Sequence, residues 1–187
     1  MNLSLSFRVQ PHEIIALVGA GGKTTAMFRL ADELVAQGKR VAVTTTTRMG
    51  ATQVGGYPST ALRFAQDDNA FISCVHDTLT NHSQVLIVGD DLPDNKVAGV
   101  PPEFIDQLAA LDTLDTVIYE ADGARLLPFK APALHEPVVA SSTTLLVPVI
   151  GVTALGAPLD DAHAHRAEIV ARLAGAQMGE TITPLIA

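Results

Sequence analysis

Residues 19 to 25 read GAGGKTT, three glycines followed by a lysine and two hydroxyls. These residue types suit the cradling of a phosphate. Gly19, Gly21 and Gly22 let successive backbone N–H groups turn into one concavity, with Ala20 between them. Lys23 adds a mobile positive charge for terminal phosphates. The Thr24 hydroxyl is placed to bind Mg²⁺, and Thr25 follows it. The plain alternative is a glycine-rich turn whose lysine is only solvated. A phosphate loop that uses Mg²⁺ calls for an acid at the end of a neighbouring strand. Glu120 and Asp122 fit that place, in the stretch DTVIYEADGA. Strand alternation sets them on one side with Ala121 opposite. Two carboxylates so close repel unless a cation or a shared proton intervenes, so metal binding or placement of its water would account for them. Asp90 and Asp91 are a weaker second pair, read mainly as a turn.

The elements that must position these groups follow from hydrophobic pattern. EIIALV, 13 to 18, is a short continuous apolar run of the kind buried on both faces of a sheet. After the glycines, Met27, Leu30, Ala31, Leu34 and Val35 fall at helix spacing, and Gly38 is a natural stop. The order strand, glycines, Lys-Thr-Thr, helix is what a phosphate loop requires. The usual spacing G-x-x-x-x-G-K-[ST] is not met, because its first glycine would fall at Leu17. The form here, G-x-x-G-K-T-T, is similar to that of Mur-type ligases. RVAVTTTT, 40 to 47, reads as the next strand. Some of its threonines only fill the sheet. Thr46 and Thr47 at the carboxyl end could face a nucleotide or its metal, and Arg48 could reach a phosphate. The segment 48 to 60 reads as loop. Further elements are a helix over 68–79 with Phe71, Cys74, Val75 and Leu79 on one face, a strand over 84–89, and a helix over 100–111. A strand over 115–124, a strand over 143–152 and a helix over 164–175 complete the chain. Strands alternating with helices predict an α/β fold of three layers, a mostly parallel sheet with helices on both faces. The binding site then lies at the carboxyl ends of the strands.

Composition narrows the class. At 187 residues and 48% hydrophobic, the chain is read as a single nucleotide-binding α/β domain over 1–187. A net charge of -8 with 12 Lys+Arg argues against nucleic acid as a partner. The one cysteine excludes an internal disulfide and a cysteine-rich metal site. Cys74, on an apolar helix face, is read as a core residue. No apolar run is long enough for a membrane span or a signal peptide, which predicts a cytoplasmic location.

Six stretches, ALVGAGGKTT, VAVTTTTRM, KVAGVPPEFID, IYEADGARLLPFKAPALHEPVV, VIGVTALGAPL and HRAEIVARL, occur in the order of a known family. The chain resembles the accessory proteins of selenium-dependent molybdenum hydroxylases, the YqeC type, over nearly its whole length. The EADGA…P.KAP…HEPV segment is the most specific part. The resemblance implies a P-loop NTPase-like fold, ATP or GTP with Mg²⁺, and a role in maturing molybdenum hydroxylases, with a hydroxylase or its cofactor-maturation proteins as partners. It also implies a further helix and strand, near an NKxD-like segment, beyond TITPLIA, so the chain is read as a short member or a fragment. The same segment offers second-site candidates. Lys130 could neutralise an anionic substrate, His135 could act as acid, base or donor near neutral pH, and His165 with Arg166 opens the last helix, where Arg166 could bind an anion. Lys23, Asp122, Glu120 and His135 form the catalytic expectation, and Thr24, Glu120 and Asp122 the metal one. Three readings stay open: an NTPase-type accessory protein, an ATP-dependent small-molecule ligase or kinase, and a non-catalytic nucleotide sensor.

Overall fold

A computed structural model describes residues 2–55, 61–63 and 68–187. The apolar run EIIALV forms strand β1 (Glu13–Gly19), and helix α1 (Lys23–Ala36) follows the glycines. Next come β2 (Val41–Thr45), β3 (Ala61–Arg63), α2 (Asp68–Asn81) and β4 (Gln84–Val88). Helix α3 (Pro102–Ala109), β5 (Thr116–Glu120), β6 (Leu145–Val149) and α4 (Ala167–Ala174) complete the main elements. Six strands form one sheet in the order β6-β1-β5-β2-β4-β3, and every pairing is parallel. The expected α/β architecture with a parallel sheet is therefore present.

Strand alternation divides the core between the two faces of the sheet. Ile15 and Leu17 of β1 pack with Met27, Leu30 and Leu34 of α1. Ile14 and Ala16 turn the other way, into a cluster with Phe71, Val75 and Leu79 of α2 and Phe104, Ile105 and Leu108 of α3. Phe71 and Phe104 meet edge-on, with ring centroids 5.3 Å apart. Cys74 does not join this core. Burial follows the i, i+4 ridge 71–75–79, and the thiol is left exposed.

The register brings the chemistry together. Leu17 stands opposite Glu120, and Thr45 stands opposite Glu120 from the other side. The strand bearing the acids thus lies between the strand leading to the glycines and the strand bearing the threonines. All three end at the same edge.

Several boundaries differ from the sequence reading. The strand expected over 115–124 stops at Glu120: Ala121 still donates to Leu17 O, but its own carbonyl accepts from Val138 N of the following segment, and the chain turns away. Residues 48 to 60 are not all loop: Met49–Gly50 pairs with Lys96–Val97, and a short helix runs over Ala51–Gly55, while 56–60 lie outside the described residues. Asp91 is a strand residue of a small antiparallel hairpin, Asp91–Leu92 against Lys96–Val97, so the turn read at Asp90 and Asp91 falls later, at 93–95. The largest change is at the last helix. Ala164 and His165 are in extended conformation and pair with Phe129 and Lys130. Arg166 then takes φ 64, and the helix starts only at Ala167. Phe129, Leu159, Ala164, Val170 and Ile182 form a third apolar cluster there. It anchors the segment after the acidic strand, so both flanks of the candidate second site have a packed base. No helix among the described residues is long and apolar enough to cross a membrane.

Candidate functional site

The glycine loop joins β1 to α1 with Gly19, Gly21 and Gly22 all at positive φ. Gly22 caps α1 and has no side chain to satisfy the first turn. Among the described residues, the backbone N–H groups of Gly21, Gly22, Lys23, Thr24 and Thr25 have no hydrogen-bond acceptor. Five successive donors at a helix N-terminus, where the helix dipole is positive, make a site for an anion.

Gly21 is held by its surroundings. A Cβ there would lie 2.4 Å from Gly151 Cα and 2.9 Å from Pro128 O, at φ +69. Gly22 has nothing within 4 Å of such a Cβ. Gly22→Ala is therefore expected to cost only the left-handed backbone penalty, about 1–2 kcal/mol. Gly21→Ala adds a clash with main chain and should cost ~3 kcal/mol or more. Urea unfolding of both variants checks this, and equal losses would mean that the loop does not press on Pro128 and Gly151.

Lys23 is buried and folds back over the loop. Its Nζ donates to Gly19 O at 2.5 Å and stands 3.2 Å from Asp122 Oδ1. Asp122 accepts the Gly19 N–H at 3.0 Å from each carboxylate oxygen. Its Oδ2 lies 2.9 Å from Lys130 Nζ. Lys130 in turn reaches Glu136 Oε2 at 2.7 Å and Gly123 O at 2.8 Å. Arg166 closes the series with two bonds to Glu136, at 2.8 and 3.2 Å, and one to Ala131 O. Cation and anion alternate from Lys23 through Asp122, Lys130 and Glu136 to Arg166.

The two acids at the strand end have different surroundings. Glu120 accepts the Thr24 hydroxyl at 2.5 Å. Burial pushes its carboxyl above the ordinary range, against the Thr24 bond and the Lys23 charge. Asp122 is covered by two ammonium groups and an amide. Glu136 goes the other way. Burial alone would raise it, but bonds from Arg166 and Lys130 outweigh burial and bring it to about 2. A carboxyl depressed from 4.5 in the unfolded chain to about 2 stabilises the fold above pH 4.5, and loses that contribution as pH falls toward 2. The melting temperature of the protein should drop over that window more steeply than that of Glu136→Gln. Parallel acid profiles for the two proteins would remove the assignment.

The remaining candidates are placed as follows. Ala20 is buried, and its N–H bonds Val149 O. Thr25 and Arg48 are exposed. Thr46 Oγ1 donates to Val138 O at 2.9 Å, so this hydroxyl is turned to the chain. Thr47 Oγ1 lies beside Gly123. Lys130 differs from the expectation of a cation open to substrate: it is buried, and its three N–H donors have three acceptors. His135 is exposed, and no hydrogen bond or ion pair connects it to the Lys23 group. Arg166 does not open a helix toward free anion, because its guanidinium is committed to Glu136. No group of three or more His, Cys, Asp or Glu among the described residues is arranged to hold a metal ion.

Two features were missed by reading the sequence. Gln53 donates to Thr24 Oγ1 at 3.1 Å and accepts from Gly50 N at 3.0 Å. It comes from the segment read as loop, and no spacing links it to the glycines. The second is the turn Ala124–Leu127, closed by Leu127 N to Ala124 O at 2.9 Å. Arg125 and Leu126 occupy its middle at φ 51 and 64. Glycine and asparagine normally hold such positions. Arginine and leucine there store on the order of 1–3 kcal/mol each.

The YqeC protein family profile matches residues 15–168. A curated relative, "Uncharacterized protein YqeC" of Escherichia coli (strain K12), is 37% identical over 153 residues, covering 82% of this chain. The chain spans 57% of that relative's length. No solved structure matches it. The matched stretch runs from β1 to the start of α4 and so contains the glycine loop, both strand-end acids and the whole alternating charge series; the chain belongs to the YqeC family.

Proposed function

We propose that the chain is a P-loop NTPase-like protein that binds the Mg²⁺ complex of ATP or GTP. It hydrolyses that nucleotide or transfers its terminal phosphoryl group, as a cytoplasmic accessory protein in the maturation of selenium-dependent molybdenum hydroxylases. The observation that carries the nucleotide reading is the run of five acceptor-less amides, Gly21 to Thr25, at the N-terminus of α1. Lys23 is the only ammonium reaching that loop among the described residues, and it lies on a carbonyl and a carboxylate that a phosphate could replace. The maturation role rests on the family resemblance of the EADGA and HEPV stretches.

Thr24 and Glu120 fit a Mg²⁺ site. Their side-chain oxygens are in direct hydrogen-bond contact, so one ion could be reached by both. A hydroxyl plus a buried carboxylate is a hard oxygen set suited to that ion. Asp122 fits less well as a ligand, since Lys23 and Lys130 already balance it. When bound, Mg²⁺ would supply charge stabilisation to the phosphate oxygens. The chain's own residues orient and hold: the amides fix the phosphates, Lys23 follows the terminal one, and Gln53 sets the direction of the Thr24 hydroxyl.

A second reading, a ligase or kinase acting on a small acceptor, is favoured by one observation: a cavity beside the loop whose lining includes Arg125, a cation with no partner among the described residues.

Calorimetric titration with ATP, GTP and ADP, with and without Mg²⁺, tests the proposal, with phosphate release followed on the same samples. The expected result is triphosphate binding that Mg²⁺ strengthens. Glu120→Gln should lose the Mg²⁺ increment and keep the metal-free binding. No binding of any nucleotide at millimolar concentration would sink the reading.

A further inference from the structure

A cavity of about 570 Å³ opens beside the end of the charge series, lined by Arg125, Leu127, Asp161, Ala164, His165 and Arg166. Its volume lies in the range of small-molecule sites. It neighbours the glycine loop: Leu127 in its wall is followed by Pro128, whose carbonyl accepts the Gly151 N–H at 2.8 Å and, with Gly151 Cα and N, is among the atoms that a Cβ on Gly21 would strike.

Its chemistry is not yet accounted for by the chain. Among the described residues, neither the Arg125 guanidinium nor the His165 ring has a hydrogen-bond or ion-pair partner. Arg166 adds positive potential but is held by Glu136. Asp161 is the one acid in the lining, and no ion pair joins it to Arg125. Backbone geometry also points here. Arg125 and Arg166 both stand at left-handed φ, 51 and 64, in positions where arginine is disfavoured. That strain persists because the turn and the Phe129–Lys130 pairing with Ala164–His165 fix both sides of the cavity. Strain of this kind gathers at ligand sites.

We infer that this cavity is a second-substrate site for a small molecule bearing a carboxylate or phosphate oxyanion, contacted by Arg125 and His165 and oriented by the field of Arg166. Arg125 is the planar fork that suits either group. His165 is held below its ordinary range by burial and by the charges of Arg166, Arg125 and Lys130, against Glu136. As a neutral ring it donates one hydrogen bond. The inference rests on the nucleotide reading and deepens it, since the bound molecule would lie next to the phosphate loop.

The test separates the two. Lys23→Ala protein, in which the glycine loop keeps its amides but has lost its ammonium, is titrated with inorganic phosphate, then with acetate, at constant ionic strength in chloride. The His165 ring resonances are followed by NMR and assigned with His165→Gln. The expected result is a saturable shift of the His165 signals, weakened at least tenfold when Arg125→Ala is added. Arg125 is exposed, so that variant should keep its melting temperature. Response to phosphate alone identifies a phosphorylated substrate, and response to both anions a carboxylate-tolerant one. A His165 signal that does not move, or moves equally without Arg125, overturns the inference. MgATP binding by wild type, measured separately, then shows whether the nucleotide reading survives by itself.

Discussion

Lys130→Ala is expected to destabilise the protein by about 3–5 kcal/mol, the usual cost of removing one partner from a buried ion pair. The ammonium is buried, with Asp122 Oδ2 at 2.9 Å, Glu136 Oε2 at 2.7 Å and Gly123 O at 2.8 Å. Alanine deletes all three bonds and leaves two carboxylates short of a counter-ion. Lys23 and the Gly19 amide still serve Asp122, and Arg166 still serves Glu136, so neither acid is abandoned outright. Water can enter only poorly, because the Lys130 side chain is 1% exposed. Lys130→Met separates charge from packing. It keeps the apolar stem and should recover only a minor part of the loss. Urea unfolding followed by circular dichroism gives both numbers. A loss under about 1 kcal/mol for alanine would place Lys130 with exposed pairs, which contribute little.

The second large effect is on ligand. Lys23→Ala should weaken binding of Mg²⁺-nucleoside triphosphate by about 100-fold, or ~2.7 kcal/mol, the scale of a charge-assisted contact to phosphate. The free protein holds Lys23 ready, its Nζ between Gly19 O and Asp122 Oδ1. Binding would exchange those partners for phosphate oxygens. The ammonium moves a short distance and stays paired. Diphosphate binding should suffer less, since the five amides from Gly21 to Thr25 remain. Calorimetry on folded variant, with folding checked by circular dichroism, decides it. Equal affinity in both proteins would leave the loop a structural turn.

The two predictions are linked through Asp122. It touches Lys23 on one side and Lys130 on the other. When a phosphate draws Lys23 away, Asp122 depends more on Lys130. Asp122→Asn should therefore affect both readouts, stability through Lys130 and affinity through Lys23. Their effects in a Lys23→Ala/Lys130→Met pair should not add, because both act on one carboxylate.

The sequence by itself determined the alternation of strands and helices, because burial leaves a period that any sheet or helix must carry. Ile14 to Val18 and the 27–30–31–34 stripe are that record. It also determined the glycine loop, where positive φ demands glycine and local order supplies the helix end. It brought Glu120 and Asp122 forward as candidates through their place at a strand end. Tertiary structure decided the rest. Only strand order places Glu120 between the loop strand and the threonine strand. Only packing distinguishes the two acids, one facing the Thr24 hydroxyl and one covered by two lysines. The sequence offered Lys130 and Arg166 as cations for a substrate. The fold assigns them to Asp122 and Glu136, residues that come into reach when 129–130 pairs with 164–165. Gln53 and Arg125 left no sequence signal, since one acts through a contact 29 residues away and the other through a turn that its residue type disfavours. Periodicity and glycine reflect forces that act locally. Ion pairs between distant segments depend on where the chain returns, and no local pattern encodes that.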